Sequence, residues 1–146
     1  MKNLIEYLIK ESQQEKKYSN MIVLNSEKNQ VLIVRRANYL KKFPGQWGFP
    51  GGSIDKKDKD GKQAAIRELK EETGIELSWN EEHECKEYGQ IKNDDGSISI
   101  FYITTLESDV EIKLSREHAG YEWFDQNSKK NHKWMPEVFQ IIQKIL

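Results

Sequence analysis

"GFPGGSIDKKDKDGKQAAIRELKEETGI" (Gly48–Ile75) sets two adjacent glycines before a polar loop and then crowds Glu68, Glu71 and Glu72 together. Like charges three or four residues apart on a helix repel, so their presence needs a reason. Asp60 has the character of an N-cap, and Gln63 three residues later completes a capping-box pattern. Thr73 and Gly74 end the segment, with Gly74 suited to the left-handed position past a helix. The spacing predicts a helix over residues 62–73.

On a helical wheel at roughly 100° per residue, with Arg67 as zero, Glu71, Glu68 and Glu72 fall at ~40°, ~100° and ~140°. Ala65, Ile66, Leu69 and Thr73 form the core face, and Lys70, Gln63 and Arg67 point outward or to its border. The three glutamates thus make one acidic stripe beside the buried face, and Ala64 is small enough to leave space over it. Carboxylates gathered this way repel unless a cation sits among them. An all-oxygen set favours a hard divalent ion, Mg²⁺ or Mn²⁺, and magnesium prefers to share its shell with substrate phosphates. Gly51 and Gly52 lack side chains, so the backbone can approach a ligand and offer its own amides and carbonyls. The implied arrangement is a metal on a helix facing a backbone loop, with a diphosphate between them. A solvated acidic face paired with lysines is the alternative, and the stripe alone does not separate the two.

Outward from this segment, "YSNMIVLNSEKNQVLIVRR" reads as two strands, about Tyr18–Leu24 and Val31–Arg36, joined by a polar turn. "WGF" is a short strand segment ending at Pro50 and the glycines. "HECKEYGQIKNDDGSISIFYITTL" predicts a hairpin turning at Asp94-Asp95-Gly96, with a strand over Ile98–Leu106. "GYEWFD" is a further short strand. The tail "MPEVFQIIQKIL" is a helix with Pro136 near its first turn and Val138, Phe139, Ile142 and Ile145 on its apolar face. In residues 2–14, Leu4, Ile5, Leu8 and Ile9 share a helical stripe. Docking on the domain is the plain reading of that stripe, and a homodimer contact is the alternative. Interspersed strands and helices point to one α/β domain over residues 1–146, with an N-terminal helical extension over 1–17.

With 146 residues, the chain suits a single core. A net charge of −1, from 23 basic and 24 acidic residues, calls for neither a nucleic-acid nor a membrane partner. Cys85 is the only cysteine, so no internal disulfide forms and a reducing, cytoplasmic compartment is expected. No apolar run reaches membrane-spanning length.

The residues from Gly52 to Ile75 closely resemble the Nudix box, the signature of the MutT-like Nudix hydrolases. The match holds at Gly52, Arg67, Glu68, Leu69, Glu71, Glu72, Gly74 and Ile75, and "GQWGFPGG" resembles the family's lead-in strand and turn. One departure is a loop one residue longer than the common box. It sets Lys59 or Asp58 at the usual early glutamate, where Asp58 or Asp55 could pair with Arg67 instead. A similar loop, with the Asp55/Asp58 spacing, occurs in the coenzyme A diphosphatase branch.

The resemblance implies an α/β/α sandwich with a central mixed sheet flanked by helices. It implies hydrolysis of a nucleoside diphosphate linked to another group, with Mg²⁺ or Mn²⁺ as cofactor. Glu68, Glu71 and Glu72 become metal ligands, joined by the Gly52 carbonyl, and Arg67 orients Glu71 or a loop acid. The general base is a box glutamate or Glu117, the acid in "LSREHAGYEWF", while the neighbouring His118 is taken as incidental. Arg35, Arg36, Trp47, Phe49 and Gly51 are the expected substrate contacts, with Lys41 or Lys42 reaching from the loop; most of the aromatics double as core. A nucleoside triphosphate, standard or damaged, is the first expected substrate, followed by ADP-ribose and coenzyme A, with RNA decapping below them. The rival reading is a nucleotide-sensing module that has lost turnover.

Overall fold

The computed structural model describes residues 3–5, 16–129 and 131–146. Seven strands form one mixed sheet: β1 (Lys17–Leu24), β2 (Val31–Arg36), β3 (Trp47–Gly48), β4 (Gly51–Ser53), β5 (Lys86–Lys92), β6 (Ile98–Thr105) and β7 (His118–Phe124). Among the described residues, helices α1 (Gly61–Thr73), α2 (Trp79–Glu84) and α3 (Val138–Ile145) accompany them. Of the predicted N-terminal stripe, Leu4 and Ile5 are described, helical and exposed rather than docked on the domain, whereas Leu8 and Ile9 lie outside the described residues.

The sheet runs β3-β2-β1-β6-β5, with β4 joined to β1 and β7 to β2. β1 and β6 are the parallel pair, in register from Lys17↔Ile98 to Leu24↔Thr105. β1 and β2 touch only at Leu24↔Val31 and then part. Into that gap comes the Pro50–Ser53 segment. Met21 N–H donates to Pro50 O at 2.8 Å, and Gly51 and Gly52 pair with Asn20 and Ser19. The opening between the two strands therefore places the glycine bend at the middle of the sheet.

Both sheet faces are covered, which is why β1 and β2 read as unbroken apolar runs. Successive residues take opposite sides. Met21, Val23, Leu32, Ile100 and Tyr102 pack with Ala65 and Leu69 of α1, while Ile22, Leu24, Val31, Ile33 and Phe101 pack with Val138 and Ile142 of α3. The result is an α/β/α sandwich. Burying a side chain such as Leu69, which is fully covered, is worth about 1.5–3 kcal/mol.

Helix α1 forms as its sequence dictates. The Asp60 carboxylate accepts from Gln63 N–H at 2.8 Å, and Gly74 ends the helix at φ 77°, donating to Lys70 O at 2.9 Å. Ala64 departs from expectation: it is fully buried rather than leaving space over the acidic stripe. The C-terminal helix starts at Val138, after Glu137 in the left-handed region at φ 69°, with Pro136 just before its first turn. Helix α2, which the sequence reading did not foresee, is set by a full capping box between Ser78 and Glu81.

Candidate active site

Helix α1 projects its carboxylates toward the Gly51–Gly52 bend. Glu72 is 3% exposed, and one of its oxygens, Oε2, accepts the Gly51 N–H at 3.1 Å. Glu68 lies beside it, against Gly52. A Cβ added at Gly52 would sit 2.5 Å from the Glu68 carboxyl carbon, so only glycine lets the bend approach this close. Each carboxyl bears on the other's charge.

The electrostatics are unbalanced. Burial pushes the Glu72 carboxyl up to about 9; the charges of Glu68 and Glu117 add to the rise and the Gly51 amide opposes it. Burial likewise raises Glu68, partly offset by Arg67. Glu81 provides the contrast. It too is buried, but it accepts from Ser78 N–H at 2.7 Å and Glu107 N–H at 2.7 Å, pinning α2 to the end of β6. Glu81 is a satisfied structural acid, and Glu72 is an acid left short of positive partners.

Arg67 organises the rest. Asp58 holds it through two hydrogen bonds, Nε to Oδ1 at 2.9 Å and Nη2 to Oδ2 at 3.0 Å, with Asp55 at 3.5 Å. This contact lowers the Asp58 carboxyl to about 2. Arg67 also donates to Glu68 at 3.0 Å, Glu71 at 3.2 Å and Ser53 O at 3.2 Å. It thereby draws Glu71 out of the expected stripe: the Glu71 side chain is 56% exposed. Among the described residues, no three or more His, Cys, Asp or Glu side chains close into a ready-made metal cage. Glu68 and Glu72 converge, and Glu71 stands at the rim of the same cleft.

That cleft has a volume of about 950 Å³, in the range of small-molecule sites. It reaches from α1 and the glycine bend to the β5–β6 turn and the Met135–Val138 segment. Glu117 lines it from a loop fixed at several points: Lys113 N–H donates to Thr73 O, Ser115 N–H to Glu72 O, and Ala37 N–H to Glu117 O. The backbone under Glu117 is thus held in place. His118 lies inside the cleft. Its side chain is 4% exposed, its Nε2 lies 3.6 Å from Glu72 Oε2, and burial beside Arg36 lowers it to about 4, so it is uncharged at neutral pH.

The expected substrate contacts divide. Arg36, Lys42, Phe49 and Gly51 line the cleft, although Phe49 is also core, edge-on to Phe101. Arg35 and Trp47 do not line it. They are cross-strand partners and line a separate cavity. The cause is strand alternation: Val34 and Arg36 share one face of β2, and Arg35 takes the other. Lys42, rather than Lys41, spans the cleft mouth, donating to Tyr18 Oη at 3.2 Å and lying 3.6 Å from Asp95.

A buried carboxyl pair with too little positive charge, and a side-chain-free bend opposite it that offers backbone oxygen, fit a hard divalent cation.

Comparison with known proteins agrees with this geometry. The NUDIX domain model matches residues 16–144. The chain is 42% identical over 60 residues to the m7GpppN-mRNA hydrolase NUDT17 of Danio rerio, covering 41% of this chain and 20% of that protein. It is 40% identical over 53 residues to the uncharacterized Nudix hydrolase NudL of Enterobacter sp. (strain 638), covering 36% of this chain and 28% of that one. The chain thus spans well under a third of these relatives' lengths. Among solved structures, the NUDIX domain of Shewanella oneidensis NrtR, complexed with ADP ribose, superposes with a TM-score of 0.74. It is 20% identical, over 98% of this chain and 96% of that one. A MutT/nudix family protein from Enterococcus faecalis also gives 0.74, at 16% identity, over 99% and 68%. At these identities the structural likeness speaks for the fold alone.

Proposed function

The chain belongs to the NUDIX domain family, and from that premise we propose that it is a divalent-metal-dependent pyrophosphohydrolase acting on a small nucleotide in the cytoplasm. The observation that carries this reading is the buried, charge-deficient Glu68–Glu72 pair against the Gly51–Gly52 bend. Glu68, Glu72 and Glu71, with the Gly52 carbonyl, would hold Mg²⁺ or Mn²⁺. Such an ion neutralises bridging phosphates and polarises the phosphorus under attack.

The chain's own residues supply the rest. Arg67 holds Glu68 at the site and Glu71 at the rim of the cleft, and Asp58 in turn fixes Arg67. Arg36 and Lys42 line the cleft as phosphate partners. Glu117, exposed on its anchored loop, takes the proton of the attacking water. Because Asp58 meets Arg67 with two hydrogen bonds, the unusual box loop supplies an acid for the arginine. The missing early glutamate then gives no ground for a module without turnover.

A nucleoside triphosphate is the first substrate expected. ADP-ribose, coenzyme A and a capped RNA are the comparisons, the last because of the Danio rerio relative's name. Phosphate and nucleotide release from this panel, with Mg²⁺ or Mn²⁺, tests the reading. Metal-dependent cleavage of at least one diphosphate is expected, and no turnover on any of them would refute it.

A further inference from the structure

The β5–β6 turn lines the cleft at the end away from α1, and its side chains form a run of hydrogen bonds with one direction. Ser97 Oγ donates to Asp95 Oδ1 at 2.5 Å, and the same oxygen accepts the Ser97 N–H at 2.9 Å. These two contacts hold the Asp95 carboxyl below the usual carboxylate range, so at neutral pH it is ionised and only accepts. The Ser97 hydroxyl has thus spent its hydrogen, and its oxygen must accept from Asn93, 3.0 Å away. That sets the Asn93 amide. Its NH2 faces Ser97, and the second hydrogen goes to Ser99 Oγ at 3.0 Å.

Two groups are left over, side by side. Asn93 Oδ1 has no donor among the described residues, and unlike the Nδ1 atoms of His118 and His132 it is not buried. The Ser99 O–H has no acceptor among them. Both residues line the cleft and are half-buried. Ile91, the cross-strand partner of Ser99, and Phe101, two residues along the same face of β6, line it beside them and form an apolar wall. Strand register measures the distance from the glycine bend. Ser53 pairs with Tyr18, and Tyr18 with Ser99. Two strand spacings, about 9–10 Å, thus separate the bend from Ser99, with Tyr18, also in the cleft, between them. A nucleoside spans a gap of that size from its 5′ phosphate to the edge of its base.

We propose that Ser99 and Asn93 read the edge of a nucleobase, the Ser99 O–H donating to a ring nitrogen or carbonyl and Asn93 Oδ1 accepting the neighbouring N–H. The inference rests on the reading of the cleft as a nucleotide site and names the group at its far end. An acceptor beside an N–H is what the pairing edge of each standard base presents. The flat ring also covers the Ile91–Phe101 wall, which a sugar phosphate alone leaves bare. Asp95 and Ser97 are positioning residues. Once the Ser97 hydrogen is no longer committed to a carboxylate, the Asn93 amide is free to turn and offer either end.

The test is a titration of the full-length protein in Mg²⁺, followed by NMR. The probes are the four standard nucleoside 5′-monophosphates, with ribose 5-phosphate as the base-free control. At least one nucleotide should bind about tenfold tighter than ribose 5-phosphate and shift the Asn93 side-chain NH2. Ser99→Ala should weaken that nucleotide about tenfold, the worth of one hydrogen bond left unmade, and leave ribose 5-phosphate unchanged. Asp95→Ala, on the exposed part of the turn, should shrink the spread among the four bases. Comparing probes within that variant cancels any change at Lys42. Equal affinity for all five probes, or wild-type affinities in a folded Ser99→Ala, would overturn the proposal. Metal-dependent hydrolysis that ignores the base would overturn it and leave the hydrolase reading standing. Base-dependent binding without turnover of any diphosphate would support it and refute the hydrolase reading instead.

Discussion

Glu81 and Glu72 are both buried acids in unlike surroundings, and the difference makes a prediction at the level of single residues. Glu81 has two backbone N–H partners, whereas Glu72 has one and faces two like charges. With its carboxyl raised from 4.5 to about 9, Glu72 binds its proton more tightly in the folded than in the unfolded protein. Its contribution to stability is therefore full below pH 4.5 and is lost as pH rises toward 9. Glu72→Gln should raise the melting temperature of the metal-free protein by a few degrees at pH 7–8. Mn²⁺ should stabilise the wild type and leave the variant unmoved, and turnover should fall at least about a hundredfold. A variant that melts below wild type without metal would contradict this account of the pair. Asp58 has the opposite sign. Its carboxyl is lowered from 3.8 to about 2 by Arg67, so its contribution is present above pH 3.8 and lost as pH falls toward 2. Asp58→Asn should remove that part of the acid limb in pH melts, and it should weaken metal binding by freeing Arg67.

At the scale of elements, α1 was largely readable because its signals are local. Asp60, Gln63 and Gly74 act within one turn of the ends they set. Asp60→Ala should cost about 1 kcal/mol in urea unfolding, the usual worth of such a cap, with no change in metal affinity. Gly52→Ala should do the reverse, displacing Glu68 through a 2.5 Å approach and weakening Mn²⁺ binding with the fold intact by circular dichroism. Helix α2 was missed although Ser78 and Glu81 carry the same pattern that identified α1, because its short charged run offered no apolar stripe. The wheel placed Glu68 and Glu72 together but missed Glu71, because the angle of a Cβ does not say that Arg67 will capture a neighbouring carboxylate. Arg35 was separable from Arg36 by strand alternation alone, whereas Trp47 was not, since its place opposite Arg35 depends on the pairing of β2 with β3. Nor was the site of His118 legible, since its place beside Glu72 depends on a loop tied to the end of α1.

At the scale of the molecule, the sandwich was foreseeable from the alternation of elements, whereas the opening between β1 and β2 was not. That opening depends on strands far apart in sequence, β1 taking β6 on one edge and β4 on the other. It is what brings the glycine bend under α1. We propose that the chain unfolds as one domain, because α1 and α3 pack on opposite faces of the same strands. Calorimetry should then show a single transition, and two resolved transitions would count against a common core. The whole account turns on a divalent cation lying between α1 and the bend. The most direct measurement is an anomalous difference map from a crystal soaked in Mn²⁺. A peak at ~2.0–2.2 Å from carboxylate oxygens of both Glu68 and Glu72 is predicted, close to the distances of hard divalent ions. A crystal that binds manganese elsewhere, and leaves that pair of carboxyls without it, would contradict the account.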